Sequence, residues 1–341
     1  MLTPPLVSVI MPAYNTEAYI GFAVESILNQ TYPHFEFLIF DDCSTDNTAG
    51  IVASYNDPRI ILVKKEKQTG YTSSLVAGID AARGKYIARM DSDDISETTR
   101  LEKQVNFLES SAEYGIVGSH VKTIGGNHPG SIWRYPLDDD DVRVYMLVNS
   151  PFAHPVVMIR KEILDKHKLN YLTFYEPCED YKLWTDLLKV AKGKNIDEAL
   201  LSYRLHNSQT ISIKKEMLLE KANLVRQEIL QSFFNIEMKK KELNINYYYF
   251  NEIQSNTACE IIKKHHWRMK LIKVFKREKK YEKVYHLVND YWIKNLLTLG
   301  EYKISFLKFL FDKAVLKSLS PKQQLTFFIK CIFQYKVNFI Q

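Results

Sequence analysis

At 341 residues, with 46% hydrophobic and 25% charged side chains and a formal net charge of +6, the chain has a globular composition that excludes disorder and suits one large domain or one domain with an appendage. Its four cysteines, Cys43, Cys178, Cys259 and Cys331, show no short pair spacing and no histidine pattern, so neither a zinc site nor a disulfide framework is expected and a reducing compartment fits. The N-terminal MLTPPLVSVIMPAYN has no basic region ahead of a long apolar stretch, and no run of about 18 apolar residues occurs, which predicts a cytoplasmic chain without signal peptide or membrane span.

The first strand is predicted at residues 7–14, VSVIMPAY, and the first helix at 17–30, where Ala18, Ile20, Ala23, Val24, Ile27 and Leu28 fall near helical spacing. Strands and helices then alternate: FEFLIF at 35–40, a helix over 46–55 opened by Asp46, RIILVK at 59–64, a helix over 72–82, and KYIARM at 85–90. Such alternation requires right-handed crossovers and a mainly parallel sheet, the α/β class. Ligands of these sheets bind beyond the carboxyl ends of the strands. Three polar clusters fall there: PAYN (12–15) after the first strand, DDCSTD (41–46) after the second, and DSDD (91–94) after the fourth.

The third cluster sets Asp91, Asp93 and Asp94 within four positions. Crowded carboxylates raise one another's pKa unless a cation or hydrogen bonds compensate, and oxygen ligation beside a nucleotide suits Mg²⁺ or Mn²⁺. The plainer alternative is that Asp93 or Asp94 caps a helix beginning near Ser96. Polar clusters at three strand ends of one sheet favour a site. Downstream, GIVGSHVKTIGG (115–126) predicts a strand. The acids of DDDD (138–141) precede Val142, Val144, Tyr145 and Leu147, so they are read as the solvated start of a helix. FYEPCEDYKLWTDLLKVA (174–191) predicts an amphipathic helix with Leu183, Trp184, Leu187, Leu188 and Ala191 on its apolar face and Glu179 and Asp180 just before it.

Charge divides the chain near residue 213. Residues 214–341 hold 25 Lys and Arg against 12 Asp and Glu, while residues 1–213 are acidic in balance. The first part is read as one α/β domain and the second as a basic, mainly helical extension. Segments 304–316 and 325–340 mix aromatic and branched apolar residues with lysines, a pattern that fits an anionic membrane surface, packing on the first domain, or a homodimer. Nucleic acid is not an expected partner, because the basic residues come without a single-strand-binding motif.

VSVIMPAYNTEAYIGFAVESILNQTYPHFEFLIFDDCSTDNT, the glycine of KQTGYTSSLVAGIDAARGKYI, and RMDSDD together resemble the N-terminal half of a family 2 glycosyltransferase, over roughly residues 6–212. The resemblance implies the GT-A fold, a nucleotide-diphosphosugar-binding α/β domain, and an inverting, metal-dependent hexosyltransferase. Its substrates would be a UDP-sugar and a hydroxyl of a saccharide or lipid-linked saccharide, in the biosynthesis of a surface polysaccharide such as O-antigen or capsule. Peripheral attachment to the inner face of the cytoplasmic membrane goes with that role.

Carried over residue by residue, the resemblance places Pro12 and Tyr14 against the nucleobase, with Asp42, and Asp41 beside it, accepting a hydrogen bond from the base. Gly70 belongs to the donor-side loop. Asp91 and Asp93 match the Asp-x-Asp signature, Asp91 near the ribose and at the ion, Asp93 on the ion. Asp180 is the expected catalytic base and Glu179 its orienting partner, with helix capping as the alternative. In LLSYRLHNSQTIS (200–212), Arg204 is expected at the diphosphate and His206 on the metal, the alternative being a surface strand. His154 is read as either near the acceptor cleft or a buried, hydrogen-bonded histidine. Two rivals stand beside this reading. One is a sugar-nucleotide-binding subunit without activity. The other is a nucleotidyltransferase, which needs a Gly-rich basic loop that PAYNTEAY lacks.

Overall fold

The computed structural model describes residues 6–126, 128–206, 215–237 and 258–275, and positions 282–284, 288, 289, 291 and 321. The chain divides into two compact units, residues 1–225 and 226–341. The elements of the first are β1 (Val7–Ala13), α1 (Ile20–Leu28), β2 (Phe35–Asp41), α2 (Thr48–Ala53), β3 (Ile60–Lys64), α3 (Tyr71–Ala81), β4 (Tyr86–Arg89), β5 (Ile95–Ser96), α4 (Arg100–Ser110), β6 (Tyr114–Gly125), β7 (Ile132–Trp133), α5 (Asp139–Tyr145), β8 (Met158–Arg160), α6 (Lys161–His167), α7 (Glu179–Leu187) and β9 (Lys192–Leu205). A helix over Lys215–Phe234 follows.

Every residue of β1 and β2 is buried, which is why both read as near-continuous apolar runs rather than as an alternation. Helix α1 buries Ile20, Ala23, Val24 and Ile27, a three-and-four spacing that makes one apolar stripe. Helix α3 comes so close to β1 that a Cβ on Gly78 would sit 2.4 Å from Ile10 Cγ2, so a glycine is needed at that approach.

The sheet runs in the order β3-β2-β1-β4-β8-β6-β9-β5, with β7 paired to β6. Its first half is parallel: β1 with β2, β1 with β4, and β2 with β3. Strand β8 joins the halves antiparallel to both β4 and β6, and β6 and β9 are parallel again. The expected α/β fold with a mainly parallel sheet is therefore present. Strands β2, β1 and β4 lie side by side, so the three polar clusters foreseen at their carboxyl ends meet on one rim.

Two local expectations are corrected. The helix expected near Ser96 begins at Arg100, because Ile95 and Ser96 instead pair with Ser202 and Leu201 of β9. The Ser96 amide also donates to Ser26 Oγ at 3.0 Å, satisfying backbone that a helix start would have left open. Strand β8, three residues long, has no counterpart in the sequence pattern. The acids at 138–141 do open α5, where Asp139 pairs with Arg143 at 2.7 Å.

In the second unit the helix Ala258–Phe275 buries Trp267 and Leu271, and the buried Arg268 guanidinium donates twice to Asn289 Oδ1, at 3.0 and 2.7 Å. The segments 304–316 and 325–340 lie outside the described residues. No helix among the described residues is long and apolar enough to cross a membrane.

Candidate active site

The loops after β1 and β2 are sewn together by polar side chains. Asn15, held at φ 51°, accepts from the Thr45 amide at 2.8 Å, and its own amide donates to Ser44 Oγ at 3.0 Å. The Thr16 amide donates to Thr48 Oγ1, the Glu17 amide to Asp46 Oδ2, and the Asn47 amide back to Glu17 Oε2. These bonds hold Tyr14, 42% exposed at the end of β1, beside the buried Pro12.

Asp42 closes this rim against the start of α3. Its Oδ1 accepts from the Thr69 amide and Lys65 Nζ, both at 3.0 Å, and its Oδ2 from the Gly70 amide at 2.8 Å. Burial pushes the Asp42 carboxyl up, but these amides and the Lys65 ammonium outweigh it and leave the pKa below the usual carboxylate range. Gly70 can donate there because it takes φ 94° and ψ 157°, a conformation open to glycine alone. Asp41 is also buried, and its Oδ1 meets no hydrogen-bond partner. A shallow cleft lined by Lys65, Lys67, Thr69 and Ser73 opens beside this pair.

At the end of β4, carboxylate oxygens of Asp91, Asp93 and Asp94 lie within 4.8 Å of one another. Asp91 is paired with Arg89 at 2.5 Å and accepts from the Tyr71 hydroxyl at 3.2 Å. His206 Nε2 stands 2.8 Å from Asp93 Oδ2. Arg204 ties the same turn from β9, its amide to Asp94 Oδ1 at 2.8 Å and its Nε to the Asp93 carbonyl at 2.7 Å, with the guanidinium 4.7 Å over the Tyr19 ring. Burial, then the Asp91 charge, hold the Asp93 carboxyl above its ordinary value despite His206. Burial and both neighbouring carboxylates push Asp94 further up. The Asp94 Oδ2 atom is buried without a partner. Hard oxygen donors that repel one another, one of them orphaned, fit a divalent cation of the Mg²⁺ or Mn²⁺ kind.

The acidic pair opens α7. Glu179 is 5% exposed with Oε2 unpartnered, and burial followed by the Asp180 charge pushes its pKa up to about 8. Asp180 accepts from Ser150 Oγ at 3.2 Å; burial raises it, the Tyr181 amide and Ser150 pull it back, and it settles at about 6. Near neutral pH the pair therefore splits into a mainly ionised Asp180 and a mainly protonated Glu179. The Arg89 cation, bound to Asp91, also lowers both of these carboxyls, so its field reaches the Asp-rich turn and the acidic pair alike.

The structure thus gathers Asp91, Asp93, Arg204 and His206 into one cluster, and Pro12, Tyr14, Asp41, Asp42 and Gly70 along the adjoining rim. Glu179 and Asp180 are the first two residues of α7, and the N-cap position before them, Cys178, makes no side-chain cap. His154 is hydrogen-bonded on both ring nitrogens, to Tyr71 and Tyr171. Residues that sequence reasoning left without a role are Arg89, Tyr71, Lys65 and Ser150. Only Arg89 left a trace in the pattern, as a charge inside the apolar run KYIARM.

The likeness to known proteins agrees with this geometry. Crystal structures of TarS from S. aureus superpose with a TM-score of 0.55 at 16% identity for the complex with UDP, covering 97% of this chain and 91% of that one. That likeness, with the polar turn at the carboxyl end of β1 and the acidic turns at those of β2 and β4, makes this a GT-A type α/β domain. Residues 8–168 match the profile of glycosyl transferase family 2. An uncharacterized glycosyltransferase of Haemophilus influenzae is 35% identical over 248 residues, 68% of this chain and 75% of the relative. A UDP-Glc:alpha-D-GlcNAc-diphosphoundecaprenol beta-1,3-glucosyltransferase, WfaP of Escherichia coli, is 30% identical over 230 residues, 65% of this chain and 86% of the relative. The chain belongs to glycosyltransferase family 2 and is a glycosyltransferase.

Proposed function

We propose that this glycosyltransferase is inverting and metal-dependent, and moves a sugar from a UDP-sugar to a hydroxyl of a saccharide or lipid-linked saccharide during assembly of a surface polysaccharide. The observation that supports it most is the gathering of Asp91, Asp93 and Asp94 carboxylate oxygens within 4.8 Å of one another at the end of β4, with Arg89 bound to Asp91 and its charge also reaching the Glu179–Asp180 pair. UDP and the lipid-linked acceptor are suggested by the relatives: TarS was crystallised with UDP and with UDP-GlcNAc, and WfaP acts on a diphosphoundecaprenol-linked sugar. A mannosyltransferase from Pyrobaculum calidifontis, similar in fold at a TM-score of 0.52, was crystallised with GDP-Man and Mn²⁺.

In this reading Tyr14 stacks on the base over Pro12, while Asp41 and Asp42 offer acceptors to the base N–H; the unpartnered Asp41 Oδ1 and the second lone pair of Asp42 Oδ2 have that capacity. Gly70 and Thr69 hold Asp42 in place. Asp91, Asp93 and Asp94, with His206 beside Asp93, would hold Mg²⁺ or Mn²⁺, which when bound supplies positive charge opposite the diphosphate. Arg204 adds a fixed cation on the same side. Asp180, ionised above about pH 6, takes the proton of the acceptor hydroxyl as its oxygen bonds to the anomeric carbon from the face opposite the leaving group. The bond to the diphosphate breaks, and its electron pair leaves with the phosphate oxygen. Glu179, protonated, stays neutral beside Asp180 and leaves it the only negative charge of the pair.

Residues 1–213 form the catalytic part in this reading, and 214–341 a basic extension that attaches the enzyme to anionic lipid on the cytoplasmic side. Incubating the full chain and Mn²⁺ with a panel of UDP-, GDP- and dTDP-sugars tests the reading. Release of UDP, with transfer to a lipid-diphosphate saccharide and inversion at the anomeric carbon, is expected. Binding of a UDP-sugar with no turnover on any acceptor would favour a binding subunit, and formation of a sugar nucleotide from sugar phosphate and UTP would favour a nucleotidyltransferase.

A further inference from the structure

Between the Asp-rich turn and the helix of the acidic pair runs a chain of hydrogen bonds whose direction follows from counting protons. The Tyr71 hydroxyl donates its single proton to Asp91 Oδ1 at 3.2 Å, the oxygen that also takes the Arg89 guanidinium. At its other contact, 3.4 Å from His154 Nδ1, the Tyr71 oxygen must therefore accept, which puts a proton on Nδ1. Burial, then the charge of Arg89, hold the His154 pKa well below its ordinary value, so the ring has one proton and Nε2 is bare. Tyr171, 5% exposed and held above its ordinary pKa by burial, donates to that Nε2 at 2.8 Å. Each donor points the same way: Tyr171 to His154, His154 to Tyr71, Tyr71 to Asp91.

The far end of the chain rests on α7. The Trp184 ring, fully buried, packs edge-on against His154 at 5.8 Å and Tyr171 at 6.3 Å between ring centres. Tyr71 is the first residue of α3, directly after Gly70, whose amide holds Asp42. The longest link, Tyr71 to His154, is thus braced at both ends by elements that carry the site.

We infer that Tyr171, His154 and Tyr71 form a one-way hydrogen-bond chain that positions Asp91 for the donor and its cation, with His154 fixed as the Nδ1–H tautomer. This deepens the proposed function and rests on Asp91 being a donor-side ligand; none of the three side chains is given a step in the chemistry.

The tautomer is tested without any measurement of activity. Long-range ¹H–¹⁵N correlation on the ¹⁵N-histidine-labelled full chain, assigned with His154→Asn, should show His154 protonated at Nδ1 and bare at Nε2. A proton on Nε2 overturns the chain whatever the enzyme does. The positioning role is tested with Mn²⁺ and UDP as probes. Tyr71→Phe deletes the bond to Asp91 and should weaken Mn²⁺–UDP binding by roughly ten- to a hundredfold, the worth of one hydrogen bond to a charged group. His154→Asn puts an amide donor where Nδ1–H was and should restore most of the affinity lost in His154→Leu, while His154→Gln, whose amide sits at the Nε2 position, should not. Equal affinities in the three His154 variants, or unchanged binding by Tyr71→Phe, would reduce the chain to packing. Loss of Mn²⁺–UDP binding in the wild type itself would instead defeat the proposed function and leave the tautomer result standing.

Discussion

Arg89 and Asp91, two residues apart at the end of β4, form an ion pair of 2.5 Å in which the guanidinium is 2% exposed and the carboxylate 23%. The Asp91 charge, after burial, helps to push Asp93 and Asp94 above the ordinary carboxylate value. Arg89 lies under the ring of Tyr71, 5.1 Å from its centre, and its charge also reaches the acidic pair on α7. Its field is therefore common to both halves of the site.

Asp93→Ala should abolish Mn²⁺-dependent binding of UDP and transfer while leaving the fold intact by circular dichroism. The Asp93 pKa is raised in the folded chain, so its favourable contribution to stability exists at acid pH and is lost as pH rises through that value. At pH 7.5 in EDTA the variant should melt no lower than the wild type. Saturating Mn²⁺–UDP should raise the melting temperature of the wild type only, by the equivalent of roughly 2.7 kcal/mol at a hundred times Kd. Full wild-type turnover in excess EDTA would remove the metal from the reading.

Asp180→Asn keeps the shape of the side chain and cannot take a proton. Transfer should fall by roughly 10²–10⁴ with UDP binding preserved. In the wild type, kcat should rise with pH through about 6, where Asp180 ionises, and then level off. The variant's residual rate should lack that limb, and near-normal transfer by it would leave Asp180 without a catalytic part.

Glu179 sits at about 8, far above a free glutamate, so the folded chain favours its protonated form. The stability this brings is complete below the unfolded value near 4.5 and is lost as pH rises through about 8. Glu179→Gln, neutral throughout, should match the wild type at pH 4 and melt higher at pH 9, by about 2–4 °C for each kcal/mol relieved. A melting difference independent of pH would contradict the burial argument.

Gly70→Ala forces an L-side chain into φ 94° and disturbs the amide that holds Asp42. A cost of about 1–3 kcal/mol in stability is expected. Calorimetry should also show UDP bound more weakly by the variant, and in the wild type UDP bound more tightly than GDP. Tighter GDP binding would shift the donor assignment.

The full chain should sediment with anionic vesicles and not with neutral ones, and added salt should release it, because each lysine near the surface contributes only about 1 kcal/mol and is screened. Equal behaviour with both vesicle types would leave residues 214–341 as a packing or oligomerisation element.

The alternation from β1 to β4 was legible because side-chain periodicity is a local property. Each strand or helix declares its buried face within a few residues, and the connection rules then put 12–15, 41–46 and 91–94 on one rim. The resemblance to family 2 glycosyltransferases rested on the same short stretches. Strand β5 could not be read that way, since Ile95 and Ser96 are extended only because residues 201 and 202, over a hundred positions away, supply their partners. Nor could the different states of Glu179 and Asp180: adjacent in sequence and alike in chemistry, they are separated by the Tyr181 amide and Ser150, which lower Asp180, and by the Asp180 charge, which raises Glu179, and pKa depends on surroundings in space. The sequence determined which residue types stand at the strand ends. Tertiary packing alone decided which carboxylates remain charged, because desolvation and Coulomb interaction act through space between groups that the chain brings together from residues 71, 89, 91, 154, 171 and 180.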